Sequence, residues 1–375
     1  MLFNVCALYI KIMNNENQTI HKSDDNLTIY GWNEKLNQLK QESIYSALAH
    51  GRVSIVHRTC YEVISGNGLF QCELTGNMMY GKSDDELPCT GDWVIFQPFD
   101  EHKGIIVDSL PRERTLYRKK SGTVADKQAI ASYVDKAFIV QSLDDNFNVR
   151  RVERFMVQIM EENISSVLVL NKADLDFDRQ SVEEQIKHIS SQIPVFFTSI
   201  HQLETIVRLR KSISEGETVV FVGSSGVGKS SLVNALCEKP VLLTSDISLS
   251  TGKGRHTSTR REMVLMDSSG VLIDTPGVRE FGLAIDNPDS LAEVLEISDY
   301  AESCRFKDCK HINEPGCAVI EAVNSGALDS KVYESYLKLR REAWHFSASE
   351  HEKRKKEKSF TKLVEEVKNR KDANR

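Results

Sequence analysis

No apolar run in the 375 residues is long enough to cross a bilayer, so a membrane-spanning helix is not expected. A secretory leader is not expected either. Leu2–Ile10 is apolar, but it has no basic stretch before it and no small-residue cleavage site after it. Met13 is an alternative start, which would leave residues 1–12 outside the protein. An excess of positive charge is also missing, with 48 Lys and Arg against 54 Asp and Glu and a net charge of −6. That balance disfavours nucleic-acid binding by bulk charge but leaves room for a local basic patch. There is no disulfide framework: Cys6, Cys60, Cys72, Cys89 and Cys237 are scattered, and only Cys304, Cys309 and Cys317 cluster, beside a histidine. What remains is a cytoplasmic chain of ordinary globular composition, long enough for two or three domains.

Residues 1–45 are polar, rich in Asn, Gln and Lys, with one helical stretch near Trp32–Leu39, and read as a weakly structured arm. From Arg52 to Leu110 the texture turns to short β-rich runs: Val53–Val56, Tyr61–Ile64, Leu69–Leu74, Trp93–Phe96 and Ile105–Val107. Turn signals such as Ser65–Gly66–Asn67–Gly68 separate them, which predicts a small closed barrel of the OB or SH3 kind. Arg52, Arg58, Lys82 and Lys103 either form a nucleic-acid face on it or are scattered surface charge. Residues 111–130 are polar and basic without a period and read as a linker. From Ala137 onward strands alternate with amphipathic helices, which predicts a mainly parallel sheet covered on both faces. Residues 290–345 read as helical apart from the Cys/His cluster, and the basic tail beyond them is either solvated or an RNA contact.

The most informative stretch is VVFVGSSGVGKSSLVN, Val219–Asn234. An apolar strand, a GxxxxGKS loop and a helical pattern follow one another, the context that makes a phosphate site of a glycine-rich turn. The loop comprises Gly223, Ser224, Ser225, Gly226, Val227, Gly228, Lys229, Ser230 and Ser231. Its backbone N–H groups would cradle phosphate, Lys229 would reach the β and γ phosphates as a catalytic cation, and Ser230 would hold Mg²⁺. Asn171–Lys172–Ala173–Asp174 fits NKxD after a strand. The Asp174 carboxylate matches guanine N1–H and its 2-amino group, donors that adenine lacks. Asn171 would tie this loop to the phosphate loop, the Lys172 stem would cover the base, and a backbone N–H of Phe197–Thr198–Ser199 would meet guanine O6, with Ser199 counted in the site. Asp274–Thr275–Pro276–Gly277 follows another strand; Asp274 would hold Mg²⁺ through water and the Gly277 N–H would sense the γ-phosphate.

The order of these motifs is inverted relative to Ras-like proteins, since the base-reading loops precede the phosphate loop. A circular permutation can still build the same sheet. Between the phosphate-loop helix and Asp274 lies LSTGKGRHTSTRR, polar and basic as a switch loop should be. Thr257 is the preferred Mg²⁺ hydroxyl there, with Ser258 and Thr259 as rivals. The residue after Gly277 is Val278, which cannot orient water, so His256 is the candidate to polarise the attacking water; a plain exposed histidine is the alternative. Cys304-x₄-Cys309-x-His311-x₅-Cys317 offers three thiolates and one imidazole, a set suited to tetrahedral, structural Zn²⁺, one per chain.

Taken together, NKAD, GSSGVGKSSLVN, GRHTST, DTPG and CRFKDCKHINEPGCAV, in that order and with GDWV in the barrel, resemble the RsgA-type (YjeQ/EngC) circularly permuted GTPases. The resemblance covers roughly residues 50–345. It implies an N-terminal OB-fold, a permuted α/β P-loop GTPase and an α-helical zinc domain, with GTP hydrolysis stimulated by the 30S subunit during its late maturation. It further implies contact with 16S rRNA, no membrane, a monomer, and a catalytic part for His256. The expected boundaries are 1–48 for the arm, 49–112 for the barrel, 113–286 for the GTPase, 287–345 for the zinc domain and 346–375 for the tail. A GTP-dependent rRNA-binding checkpoint with incidental turnover is the alternative.

Overall fold

The computed structural model describes residues 24–119, 127–238, 241–242, 261–267, 270–275 and 288–347. The β-rich segment forms β1 (Ala49–Val56), β2 (Tyr61–Ser65), β3 (Gly68–Leu74), β4 (Trp93–Asp100) and β5 (Lys103–Ser109). They pair in the order β1-β2-β3-β5-β4 and close by β1–β4, all antiparallel except β3 with β5. This is the five-stranded Greek-key barrel of the OB type, which settles the choice left open by the sequence. Alternation along β4 sends Val94 and Phe96 inward to Val53, Phe70 and Ile106. Trp93 and Ile95 face outward, yet they too are buried, because Leu27, Trp32 and Leu36 cover them.

That cover corrects the expectation of a weakly structured arm. Within the described residues it forms a 3₁₀ turn, Asp24–Tyr30, and a helix, Glu34–Glu42, capped by the Asn33 side chain on the Leu36 N–H. Trp32 packs edge-on against Trp93 with ring centroids 4.8 Å apart. A second correction concerns the linker. Leu116–Lys119 (β6) and Lys127–Ala131 (β7) pair as antiparallel strands, with Leu116 and Ile130 fully buried. Their polar, periodless sequence hides two apolar anchors that pack into the core of the following domain.

The α/β part contains β8 (Lys136–Ser142), β9 (Ser165–Asn171), β10 (Val195–Thr198), β11 (Thr218–Val222), β12 (Glu262–Leu265) and β13 (Val271–Asp274). The order across the sheet is β10-β9-β8-β11-β13-β12, parallel except for the β12–β13 pair. Buried on both faces, these strands read as continuous apolar runs rather than alternating ones. The chain goes outward from β8 to β10 and then returns to β11 on the other side of β8. The phosphate loop therefore opens at the point where the strand order reverses, the usual place for a ligand crevice.

The C-terminal helices Pro288–Val294, Ser298–Ala301, Ala318–Ser325 and Ser330–Ser347 share a core with the α/β part. Polar contacts reinforce this: Arg154 pairs with Glu342 at 2.7 Å, and the buried Glu153 carboxylate bridges His188, at 2.9 Å, and Ser335.

Arg52 is not part of a basic surface, a third correction. It is 1% exposed, and its guanidinium donates to the carbonyls of Gly91, Tyr30, Ser132 and Tyr133 and to Thr218 Oγ1 at 2.9 Å. Barrel, N-terminal segment and β11 thus meet on one side chain. Burial pushes its pKa down to about 10, still charged at neutral pH. Lysine cannot replace the fork of donors. Arg52→Met should lower the unfolding free energy by about 3 kcal/mol, because several buried carbonyls lose their donor. Urea denaturation checks this, and a loss below about 1 kcal/mol would contradict it.

Candidate functional site

Each nucleotide motif that falls on described residues leaves the C-terminal end of a parallel strand. After β11 the chain enters the glycine loop, where Gly223, Gly226 and Gly228 have φ of 150°, 84° and 96°. Two of them are required by crowding as well as by conformation. A Cβ on Gly223 would lie 2.3 Å from the Val140 carbonyl oxygen, and one on Gly228 2.3 Å from Asn171 Nδ2. The loop runs into the helix Lys229–Leu236, so the helix N-terminus and the loop N–H groups face one concavity.

Lys229 is buried, and its ammonium donates to the carbonyls of Gly223 at 2.8 Å and Ser224 at 2.9 Å. Burial lowers its pKa, against the opposing pull of Asp274. The Ser230 hydroxyl donates to Asp274 Oδ2 at 2.7 Å. Asp274 is 1% exposed, and its Oδ1 has no hydrogen-bond partner among the described residues. Burial raises the Asp274 carboxyl, while Ser230 and Lys229 oppose that. A buried carboxylate oxygen without a donor, beside a serine hydroxyl at an anion cradle, suits a hard divalent cation.

The base-reading loops approach from the neighbouring strands. Asn171, at the end of β9, donates its Nδ2 to the Val227 carbonyl at 2.8 Å and accepts from Thr198 Oγ1 at 3.3 Å. Two loops 56 residues apart in sequence are thereby joined by one amide. Asp174 is exposed, and its Oδ1 accepts the Ser199 hydroxyl at 2.5 Å, which lowers its pKa. The Ser199 N–H donates to Thr205 Oγ1 at 3.0 Å, within its own loop. Ser199 acts here through its hydroxyl.

Lys172 takes a left-handed conformation, φ 63°, and its ammonium donates to Asp144 Oδ2 at 2.8 Å. Neither Asp144 nor Thr205 belongs to a sequence motif. A position just after β8, the strand beside β9, was the one signal that could have found Asp144. His256, Thr257 and Gly277, with Ser258 and Thr259, lie outside the described residues.

In the C-terminal region the donor atoms of Cys304, Cys309, His311 and Cys317 all lie within 4.8 Å of one another. Cys304 Sγ is 3.8 Å from Cys317 Sγ, and His311 Nδ1 is 3.5 and 3.4 Å from those two sulfurs. A tetrahedron with Zn–S about 2.3 Å and Zn–N about 2.0 Å has edges of about 3.8 and 3.5 Å. The set therefore fits zinc in size and in donor chemistry. The Tyr333 hydroxyl fixes His311 by donating to its carbonyl at 2.6 Å.

Comparison with known proteins gives a consistent picture. A family model described as RsgA GTPase matches residues 109–284, and one described as ABC transporter matches residues 206–371, a span that includes the phosphate loop. The small ribosomal subunit biogenesis GTPase RsgA 1 of Bacteroides thetaiotaomicron is 76% identical over 359 residues, 96% of this chain and 99% of the relative. The corresponding protein of Methanosarcina acetivorans is 38% identical over 338 residues, 87% of this chain and 89% of the relative. Among solved structures, YjeQ from Thermotoga maritima superposes with a TM-score of 0.60 at 26% identity, covering 79% of this chain and 98% of that one. YloQ, a circularly permuted GTPase, gives 0.58 at 21% identity over 82% and 99%, a likeness of fold.

The two left-handed glycines offer a comparison within one loop. A Cβ at Gly226 meets nothing within 4 Å, whereas one at Gly228 collides with Asn171. Both substitutions to alanine carry the left-handed penalty, but only Gly228→Ala also breaks the Asn171 tie. Nucleotide affinity, measured by titration calorimetry, should fall roughly 30-fold or more for Gly228→Ala and less than tenfold for Gly226→Ala. Equal losses would contradict this assignment.

Proposed function

The chain belongs to the RsgA family of GTPases, and we propose that it hydrolyses GTP to GDP and phosphate under stimulation by the small ribosomal subunit, late in that particle's maturation. The observation that carries the reading is the Asn171–Val227 contact, which brings an NKxD loop and a GxxxxGKS loop to one crevice despite their inverted order.

In this reading Asp174 accepts two hydrogen bonds from the guanine edge, and the Ser199 hydroxyl keeps that carboxylate ionised and oriented. The loop N–H groups and Lys229 take the phosphates. Lys229 then exchanges its two carbonyl partners for phosphate oxygens, and its buried setting strengthens that attraction. Ser230 and Asp274 would hold Mg²⁺, with Thr257 as the third protein group. When bound, Mg²⁺ neutralises charge developing on the β- and γ-phosphate oxygens. His256 is the group proposed to orient the attacking water, because Val278 cannot.

Cys304, Cys309, His311 and Cys317 would hold one structural zinc with no open position, which fixes the connection between two C-terminal helices. Partners of this chemistry are GTP, GDP and the 30S subunit with its rRNA, and the working compartment is the cytoplasm. No helix among the described residues is long and apolar enough to cross a membrane.

A purely GTP-dependent binding module is the second reading, since Val278 predicts slow turnover in isolation. Phosphate release separates the two. GTP turnover should rise at least tenfold on adding purified 30S subunits, but not 50S subunits, and His256→Ala should abolish that rise while GDP binding persists. Turnover unchanged by 30S subunits would favour the binding module.

A further inference from the structure

We propose that Asp144 is a positioning residue of the guanine site, one that acts by holding Lys172 across the base. This inference rests on the reading of Asn171–Asp174 as the base-recognition loop.

Asp144 lies two residues beyond β8, on the strand that separates the base-reading strand β9 from the phosphate-loop strand β11. Its carboxylate accepts three hydrogen bonds. Oδ1 accepts the Ser142 hydroxyl at 2.6 Å and the Asn146 N–H at 3.0 Å. Oδ2 accepts the Lys172 ammonium at 2.8 Å. Ser142 is itself fully buried and stands in register with Asn171 across β8 and β9. The Leu143 N–H donates to the Asn171 carbonyl at 2.9 Å, so the two loops are joined by backbone as well as by side chains.

A lysine in the left-handed region is unfavourable in itself, and this one is held there by its neighbours. The Ala173 N–H donates to the Thr198 carbonyl at 2.9 Å, and the Leu175 N–H to the Lys172 carbonyl at 3.1 Å. The backbone is thereby committed, but the four-carbon stem is not. A lysine with a free ammonium samples many rotamers and must be ordered when a ligand arrives. With the ammonium fixed on a carboxylate, the stem is ordered beforehand, and its apolar length can lie against a flat base. The Lys172 and Asp144 side chains are 35% and 25% exposed, so solvent weakens the pair without dissolving it. Burial raises the Asp144 carboxyl, but Lys172 and Ser142 outweigh that and hold it at about 2, so Asp144 is ionised at neutral pH.

The role is distinct from that of Asp174. Asp174 reads the edge of the base and so chooses between bases. Asp144 works through a face contact and should affect all purines that Asp174 admits. It is also distinct from an ordinary surface ion pair, because removal of Lys172 should make Asp144 irrelevant.

The test is a double-mutant cycle on the full chain, with dissociation constants for GDP, IDP and ADP measured by calorimetry. Asp144→Asn should weaken GDP and IDP binding by the same factor, about fivefold, and Asp144→Glu should recover part of it. Lys172→Met should weaken both by a similar factor, and the double variant should be no worse than Lys172→Met alone. Asp144→Asn within error of wild type would overturn the proposal, as would effects of the two substitutions that multiply in the double variant. Wild-type binding of ADP as tight as GDP would instead overturn the guanine reading itself, and this inference with it.

Discussion

The Asn171 side-chain amide donates to the Val227 carbonyl at 2.8 Å, and the geometry of the crevice depends on that contact. It is possible only because Gly228 has no Cβ, which would sit 2.3 Å from the same amide nitrogen. One side of the tie carries the carboxylate suited to a guanine edge. The other carries the cradle, Lys229 and the Ser230–Asp274 pair. Neither half recognises a whole nucleotide alone. The inverted order of the motifs is immaterial to this arrangement. The sheet fixes the loops by strand order, and β9, β8, β11 and β13 lie side by side whichever of them the chain visits first.

Much of this was legible from residue patterns. Strands buried on both faces announce themselves as runs such as VVFV and VLVL, and a glycine loop between such a strand and a helix turns its N–H groups toward an anion. The Cys/His spacing likewise pointed to four donors that the fold gathers. What was not legible shares a physical cause: partners distant in sequence. Leu27, Trp32 and Leu36 look like stray apolar residues in a polar arm until Trp93 and Ile95 supply the surface that they cover. Leu116 and Ile130 stand as single anchors in a polar stretch without a period. Arg52 reads as surface charge because nothing local to it predicts five acceptors from four segments of the chain. Asp144 belongs to no motif, and its contact with Lys172 follows from adjacency of strands.

Arg52 and Glu153 do comparable work at two junctions of the α/β part. Arg52 binds it to the barrel and the N-terminal segment, and Glu153 to the C-terminal helices through Ser335. Both are buried polar side chains with hydrogen-bonded partners, and such groups are costly to disturb and geometrically exacting. They make the three parts one framework around the crevice.

The central claim is that the base-reading and phosphate-binding loops close on the same guanine nucleotide. A crystal structure of the full chain with GDP and Mg²⁺ tests it most directly. The account predicts Asp174 within hydrogen-bond distance of guanine N1 and N2, and Lys229 turned from the Gly223 and Ser224 carbonyls to the β-phosphate. A nucleotide whose phosphates occupy the glycine loop while its base lies away from Asp174 would contradict it.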